Sequence, residues 1–196
     1  NPGGLLEQAI SISNLFLSAG DIVTTVGYQK EPKQVHRATS DTLDEHTPIV
    51  ILVDEHSASA SEIMAAALQD NQRGLIFGRP TYGKGSVQVL FEFPSKWGLK
   101  ITVAQYLTPS KASIQDVGVQ PDVLVSGFAP GRIDVIEPTG AKAQTAIKAS
   151  NVRFDYLQVK KDVDREIEFA RLYLAAKSSQ EQAGHGKTLK ETIDQI

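Results

Sequence analysis

Cysteine is absent from the 196 residues. That removes disulfides and cysteine-ligated metals, and it fits either redox compartment. A surplus of positive charge is absent too: 20 Lys and Arg stand against 23 Asp and Glu, a net charge of −3. Such a balance offers no strongly basic surface, so nucleic acid is not expected as a partner. No apolar run approaches the roughly 20 residues of a membrane-spanning helix. Histidine is scarce. His36, His46, His56 and His185 show neither HxxxH nor HExxH spacing, so neither a zinc-hydrolase site nor any other metal is expected. An initiator methionine is also lacking. The chain opens on "NPGG", which reads as the inside of a turn, and the expectation is of a fragment, or a processed piece, of something longer. The lack of a targeting sequence then carries no information on location.

What is present is ordinary for a globular chain: 41% hydrophobic and 22% charged residues, with enough length to bury one core plus an appendage. Leu5, Ala9, Ile12 and Phe16 recur at i, i+4, i+7 and i+11, which places them on one helical face, and Gly20 stops the helix. "DIVTTVGY" reads as a strand, and residues 29–47 read as an exposed polar loop. "PIVILVD" is a continuous apolar run typical of a strand buried on both faces. A helix over 60–70 and the short strand "GLIFG" follow. This alternation predicts an α/β fold with a mainly parallel sheet. "SVQVLFEF" and "LKITVAQYL", joined by "PSKWG", predict a hairpin. Residues 108–150 are rich in Gly, Pro, Ser and Ala, with "DVLV" as a short strand. Beyond 151, eight basic and eight acidic residues surround a helical face of Val163, Ile167, Ala170 and Leu174, which predicts a docking helix with a solvated outer side.

Two stretches could carry chemistry. In "SASASEIMAAALQD" (57–70), three serines lie between the strand and the helix. A helix N-terminus offers unpaired N–H groups and partial positive charge, both suited to an oxyanion. Ser59 and Glu62 also have the spacing of a capping box, so the local sequence serves a cap and a nucleophile alike. A catalytic serine needs a base. His56 lies near in sequence but has no carboxylate clearly placed to orient it, and GxSxG is absent. A lysine can serve instead. At neutral pH this requires about 4.6 kcal/mol of differential interaction against the ammonium form, which burial supplies and an exposed loop does not.

The second stretch, "GRPTYGKGSVQ" (78–88), nearly spells a phosphate-binding loop around Lys84. Gly85 stands where such a loop needs Ser or Thr, and a period-2 strand pattern follows where a helix is required.

Taken with "NPGG" (1–4) and "LTPSKASIQDVGVQPDV" (107–123), these stretches resemble the carboxyl-terminal processing proteases, the tail-specific serine peptidases of family S41, over residues 1 to about 125. Lys111 stands where glycine is commoner in that family. The resemblance implies a crotonase- and Clp-protease-like spiral core of mixed sheet and helices, with a hairpin region and a C-terminal helix. It implies a catalytic core over 1–125, incomplete at its N-terminus, a linker over 126–150, and a helical segment over 151–196 packing on the core. By the same resemblance Ser59 is the nucleophile, Lys84 the general base and Gln88 the residue orienting it. Ala60 and a glycine of "NPGG", Gly4 or alternatively Gly3, supply the oxyanion-hole N–H groups. If 86 onward is a strand, Gln88 looks into the cleft while Val87, Val89 and Phe91 enter the core. Asp70, eleven residues past Ser59, returns to nearly the same helical azimuth but about 16 Å along the axis, so it is expected to be structural.

No cofactor is implied. Expected partners are a protein or peptide substrate and the missing N-terminal and PDZ portion, with room for a homo-oligomer completing the sheet. The implied location is periplasmic or otherwise extracytoplasmic, or the chloroplast lumen. A non-catalytic peptide-binding or scaffold domain on the same fold is the competing reading.

Overall fold

The computed structural model describes residues 1–27, 32–94, 97–124 and 165–182. The chain divides into two compact units. The first comprises Asn1–Glu45, Glu55–Arg73 and Thr81–Val119; the second comprises His46–Asp54, Gly74–Pro80 and Gln120–Ile196. In chain order the elements are α1 (Leu6–Asn14), β1 (Asp21–Val26), β2 (Pro32–Arg37), β3 (Val50–Val53), α2 (Ala60–Asp70), β4 (Leu75–Gly78), β5 (Ser86–Glu92), β6 (Gly98–Leu107), β7 (Val123–Leu124) and α3 (Arg165–Gln182).

The first unit holds a four-stranded sheet in the order β2-β1-β6-β5, antiparallel throughout. Helix α1 packs on α2, and both pack on β1. Ile22, Val23, Ile63, Ala67 and Leu68 are buried there. Burying a branched side chain of this size contributes about 1.5–3 kcal/mol. The buried side of α1 is Ala9 and Ser13, whereas Leu5 and Ile12 of the expected face are exposed. The reason is the neighbour: α1 packs on α2 and β1, and that packing encloses its small residues in place of its large ones. Ser13 is fully buried, and its Oγ donates to the Ala9 carbonyl at 2.8 Å.

Part of the stretch expected as a loop, "PKQVHR", is strand β2 on the sheet edge. A polar, charged sequence opening on proline suits an edge, where one side of the ladder faces water.

The second unit holds the parallel sheet β3-β4-β7, so among the described residues the parallel arrangement expected from the α/β alternation up to "GLIFG" is realised in these three strands and not in β1. Ile76, Phe77 and Val123 are fully buried. Leu52 of β3, expected to be enclosed, is 37% exposed and lies on the face of the strand opposite the buried Val53. Helix α3 packs on β3 and β4 through Phe169, whose ring stacks on Phe77 with centroids 4.4 Å apart. Its buried positions are Phe169, Ala170 and Tyr173, while Ile167 is exposed; Val163 and residues 126–150 lie outside the described residues.

Candidate active site

The turn before α2 is built from small side chains because another piece of chain lies against it. The Ala58 N–H donates to the Asn1 carbonyl at 3.0 Å, and the Asn1 side chain accepts the Gly3 N–H at 2.9 Å. Gly3 has φ +88°, and a Cβ there would fall 2.5 Å from the Ala58 carbonyl oxygen and 2.8 Å from the Ala60 nitrogen. Only glycine lets "NPGG" rest on the serine turn. A Cβ on Gly4, by contrast, would meet nothing within 4 Å. Among the described residues, the N–H groups of Gly4 and Ala60 have no acceptor. Ala60 opens the helix, where unpaired N–H groups are expected.

Ser59 sits at the helix N-cap with φ 59° and ψ −120°. That is not the extended backbone usual for a cap. A non-glycine residue in so sparsely populated a region costs about 1–3 kcal/mol and persists only where its surroundings impose it. The capping-box spacing is realised in the contact from the Ser59 N–H to Glu62 Oε2 at 2.7 Å, and the Glu62 N–H donates to the Ser59 carbonyl at 2.9 Å.

Glu62 does far more than cap. Its carboxylate is fully buried and accepts four hydrogen bonds. Oε2 takes the N–H groups of Ser59 and Lys84 at 2.7 and 2.9 Å, and Oε1 takes the Thr81 hydroxyl and the Gly83 N–H at 2.5 and 2.7 Å. A carboxylate offers about four lone-pair sites, so all are used. The serine turn and the loop over Thr81–Gly85 are thereby tied to one side chain. The Tyr82 N–H adds a bond to the Ser57 carbonyl at 3.0 Å.

The outer side of this loop is held by residues 114–119. The Asp116 N–H donates to the Gly83 carbonyl at 2.8 Å, and Gln115 Oε1 accepts the Gly85 N–H at 3.1 Å. A Cβ on Gly85 would lie 2.6 Å from the Gln115 nitrogen, so the glycine is required by close backbone approach.

Lys84 itself is exposed, against the expectation of a buried amine. Its Nζ makes no hydrogen bond or ion pair among the described residues. What the fold fixes is the Lys84 backbone. Gln88 is exposed, and its amide donates to Thr102 Oγ1 at 3.3 Å across the hairpin rather than to Lys84. The β5–β6 register shifts between Val87 and Gln88. Val89 and Phe91 are 38% and 48% exposed, so they do not enter the core as expected, because the hairpin beyond the shift extends past the part of β6 that pairs with β1.

Asp70 closes α2 and accepts the Ser110 N–H at 3.0 Å, the structural role expected of it. After Gly85 the chain runs on as strand β5, so the helix a phosphate loop needs is not there. No group of three or more metal-ligating side chains occurs among the described residues.

In the sequence Glu62 has only the spacing of a cap, and no motif singles out Thr81 or Gln115. One signal was available. Glu62 lies three and four positions before Ala65 and Ala66, on the buried face of an alanine-rich helix, and an ionisable group there must find partners inside.

Residues 1–125 match the model of peptidase family S41. The chain belongs to that family. Among its S41 relatives, the carboxy-terminal-processing protease of Bartonella bacilliformis is 46% identical over 130 residues, which is 66% of this chain and 30% of that protein. The carboxyl-terminal-processing protease of Synechocystis is 40% identical over 147 residues, 75% of this chain and 34% of that protein. Among solved structures, a photosystem II D1 C-terminal processing protease superposes with a TM-score of 0.61 at 37% identity, covering 64% of this chain and 32% of that one. The chain thus spans about a third of the length of these relatives.

Proposed function

We propose that the protein is a serine endopeptidase in which Ser59 is the nucleophile, Lys84 the general base and Gln88 the residue that orients the lysine. Residues 1–125 form the catalytic part, on a spiral core of the crotonase and Clp-protease type. The observation that carries this reading is the sharing of one oxygen atom. Glu62 Oε2 accepts the N–H of Ser59 and the N–H of Lys84, which draws together two backbone positions 25 residues apart in sequence. The strained Ser59 backbone and the two unpaired N–H groups of Gly4 and Ala60 supply what an acyl-transfer site needs beside its nucleophile.

In the reaction, Ser59 Oγ attacks the peptide carbonyl carbon while its proton passes to the neutral Lys84 amine. The Gly4 and Ala60 N–H groups hold the oxyanion. Lys84 then gives the proton to the leaving nitrogen as the C–N bond breaks, and water, deprotonated by Lys84, hydrolyses the acyl-enzyme. Substrate lying over the exposed Lys84 loop excludes water and brings the side chain into reach of Ser59. The substrate is a protein engaged by its C-terminal tail, with a PDZ portion of the complete protein assisting. The location is extracytoplasmic or lumenal, in keeping with bacterial and chloroplastic relatives.

The test is cleavage of an unfolded protein, together with labelling of Ser59 by a fluorophosphonate. Ser59→Ala and Lys84→Ala are each expected to abolish both while melting within a few degrees of the parent. Sustained cleavage by either variant refutes the dyad. The exposed Lys84 side chain favours a second reading, a non-catalytic peptide-binding domain, and an unlabelled but folded parent protein would select it.

A further inference from the structure

We propose that Thr81 is a positioning residue for the Ser59–Lys84 pair, an inference that rests on the peptidase reading above. Thr81 is only 6% exposed and stands three residues before Lys84. Its hydroxyl accepts the Val119 N–H at 2.7 Å and lies 2.5 Å from Glu62 Oε1, while its own N–H donates to the Val119 carbonyl at 3.2 Å.

The direction of the Glu62 contact follows from this arrangement. With the Val119 N–H pointing at the hydroxyl oxygen, the hydroxyl hydrogen is free to turn toward the carboxylate, and Thr81 donates to Glu62. The consequence reaches both proposed catalytic residues. A carboxylate held through one oxygen can rotate about its last side-chain bond, and its torsion is broad. Thr81 and the Gly83 N–H fix Oε1. The plane is then set, and Oε2 stays between the Ser59 and Lys84 N–H groups. Val119 ends the segment whose Asp116 and Gln115 grip the glycines on either side of Lys84. Thr81 therefore transmits the placement of that segment to the carboxylate that aligns nucleophile and base.

The experiment compares Thr81→Val, which removes the hydroxyl but keeps the shape, with Thr81→Ser, which keeps the hydroxyl. Second-order rates of fluorophosphonate labelling at Ser59 and the kcat and KM for an unfolded protein are measured well below each melting temperature. A core variant, Ile22→Val, controls for lowered stability. Thr81→Val is expected to slow labelling and kcat by at least tenfold with KM within about twofold, Thr81→Ser to recover most of the rate, and Ile22→Val to label like the parent. If Thr81→Val does not fold, Thr81→Cys, with a weaker donor, takes its place and is expected to fall between parent and no labelling.

Parental labelling by a folded Thr81→Val or Thr81→Cys protein overturns the proposal while leaving the peptidase reading intact. So does a Thr81→Ser protein as slow as Thr81→Val, since packing and not the hydroxyl would then matter. A parent protein that is not labelled at Ser59, or a Lys84→Ala protein labelled at the parental rate, overturns the peptidase reading and takes this proposal with it.

Discussion

At the scale of single residues, the site depends on backbone groups as much as on side chains. Ser59 holds a φ of 59°, and what imposes it is contact on both sides: Glu62 at its N–H and Gly3 against its neighbours. Two adjacent glycines therefore have different duties. Gly3→Ala meets a strained φ and a clash with backbone, and is expected to cost about 1–3 kcal/mol and to slow Ser59 labelling at least tenfold. Gly4→Ala keeps its N–H and enters open space, and is expected to melt within a few degrees of the parent. Thermal melts and labelling rates of the two variants check this, and equal behaviour would refute the docking role given to Gly3. The serine turn and the lysine were legible as motifs. The role of Glu62 was not, because its partners at 81, 83 and 84 lie about twenty residues away and short-range spacing cannot register them.

At the scale of elements, the loop after β6 is held to β1 by a charge cluster. Lys111, in a left-handed backbone conformation with φ 64°, donates to Asp21 Oδ2 at 2.8 Å and to Thr24 Oγ1 at 2.9 Å, and Arg37 Nε donates to Asp21 Oδ1 at 3.0 Å. The Lys111 hydrogen bond, followed by that of Arg37, holds the Asp21 carboxyl below its ordinary value of 3.8. A carboxyl depressed in the folded state contributes stability above its unfolded value and loses it as pH falls through the lower folded one. The pairs are partly solvated, so the contribution is small, about 1 kcal/mol or less. Asp21→Asn is expected to unfold more easily than the parent at pH 7, with the difference closing as pH drops below about 4. Urea titrations at both pH values measure it, and a gap that persists at low pH would remove the ionic explanation. Helix existence was legible here, but the buried face of α1 was not, since burial of Ala9 and Ser13 in place of Leu5 and Ile12 is decided by how α1 packs on α2 and β1.

At the scale of the whole molecule, the described surface has one conspicuous apolar feature. Cross-strand pairs Val89 with Ile101 and Phe91 with Leu99, followed by Phe93 and Trp97, line one side of the β5–β6 hairpin, and all six are exposed, Trp97 by 75%. Apolar surface gathered in this way binds hydrophobic dyes and invites association. Replacing Phe91 and Trp97 together by Ser is expected to lower dye fluorescence severalfold with the melting temperature changed by no more than a few degrees, since little buried contact is lost. An unchanged dye signal would show that the hairpin is covered in solution. Helix α2, the strands other than β2 and the family itself follow from the order of residues, because periodicity, glycine placement and four spaced motifs are local properties carried by the chain before it folds. Which strands share a sheet, which helical face is buried, and that one enclosed carboxylate gathers the serine turn and the lysine loop were settled only by tertiary structure, because each depends on which distant groups compete to fill the same buried space and to satisfy the same hydrogen bonds.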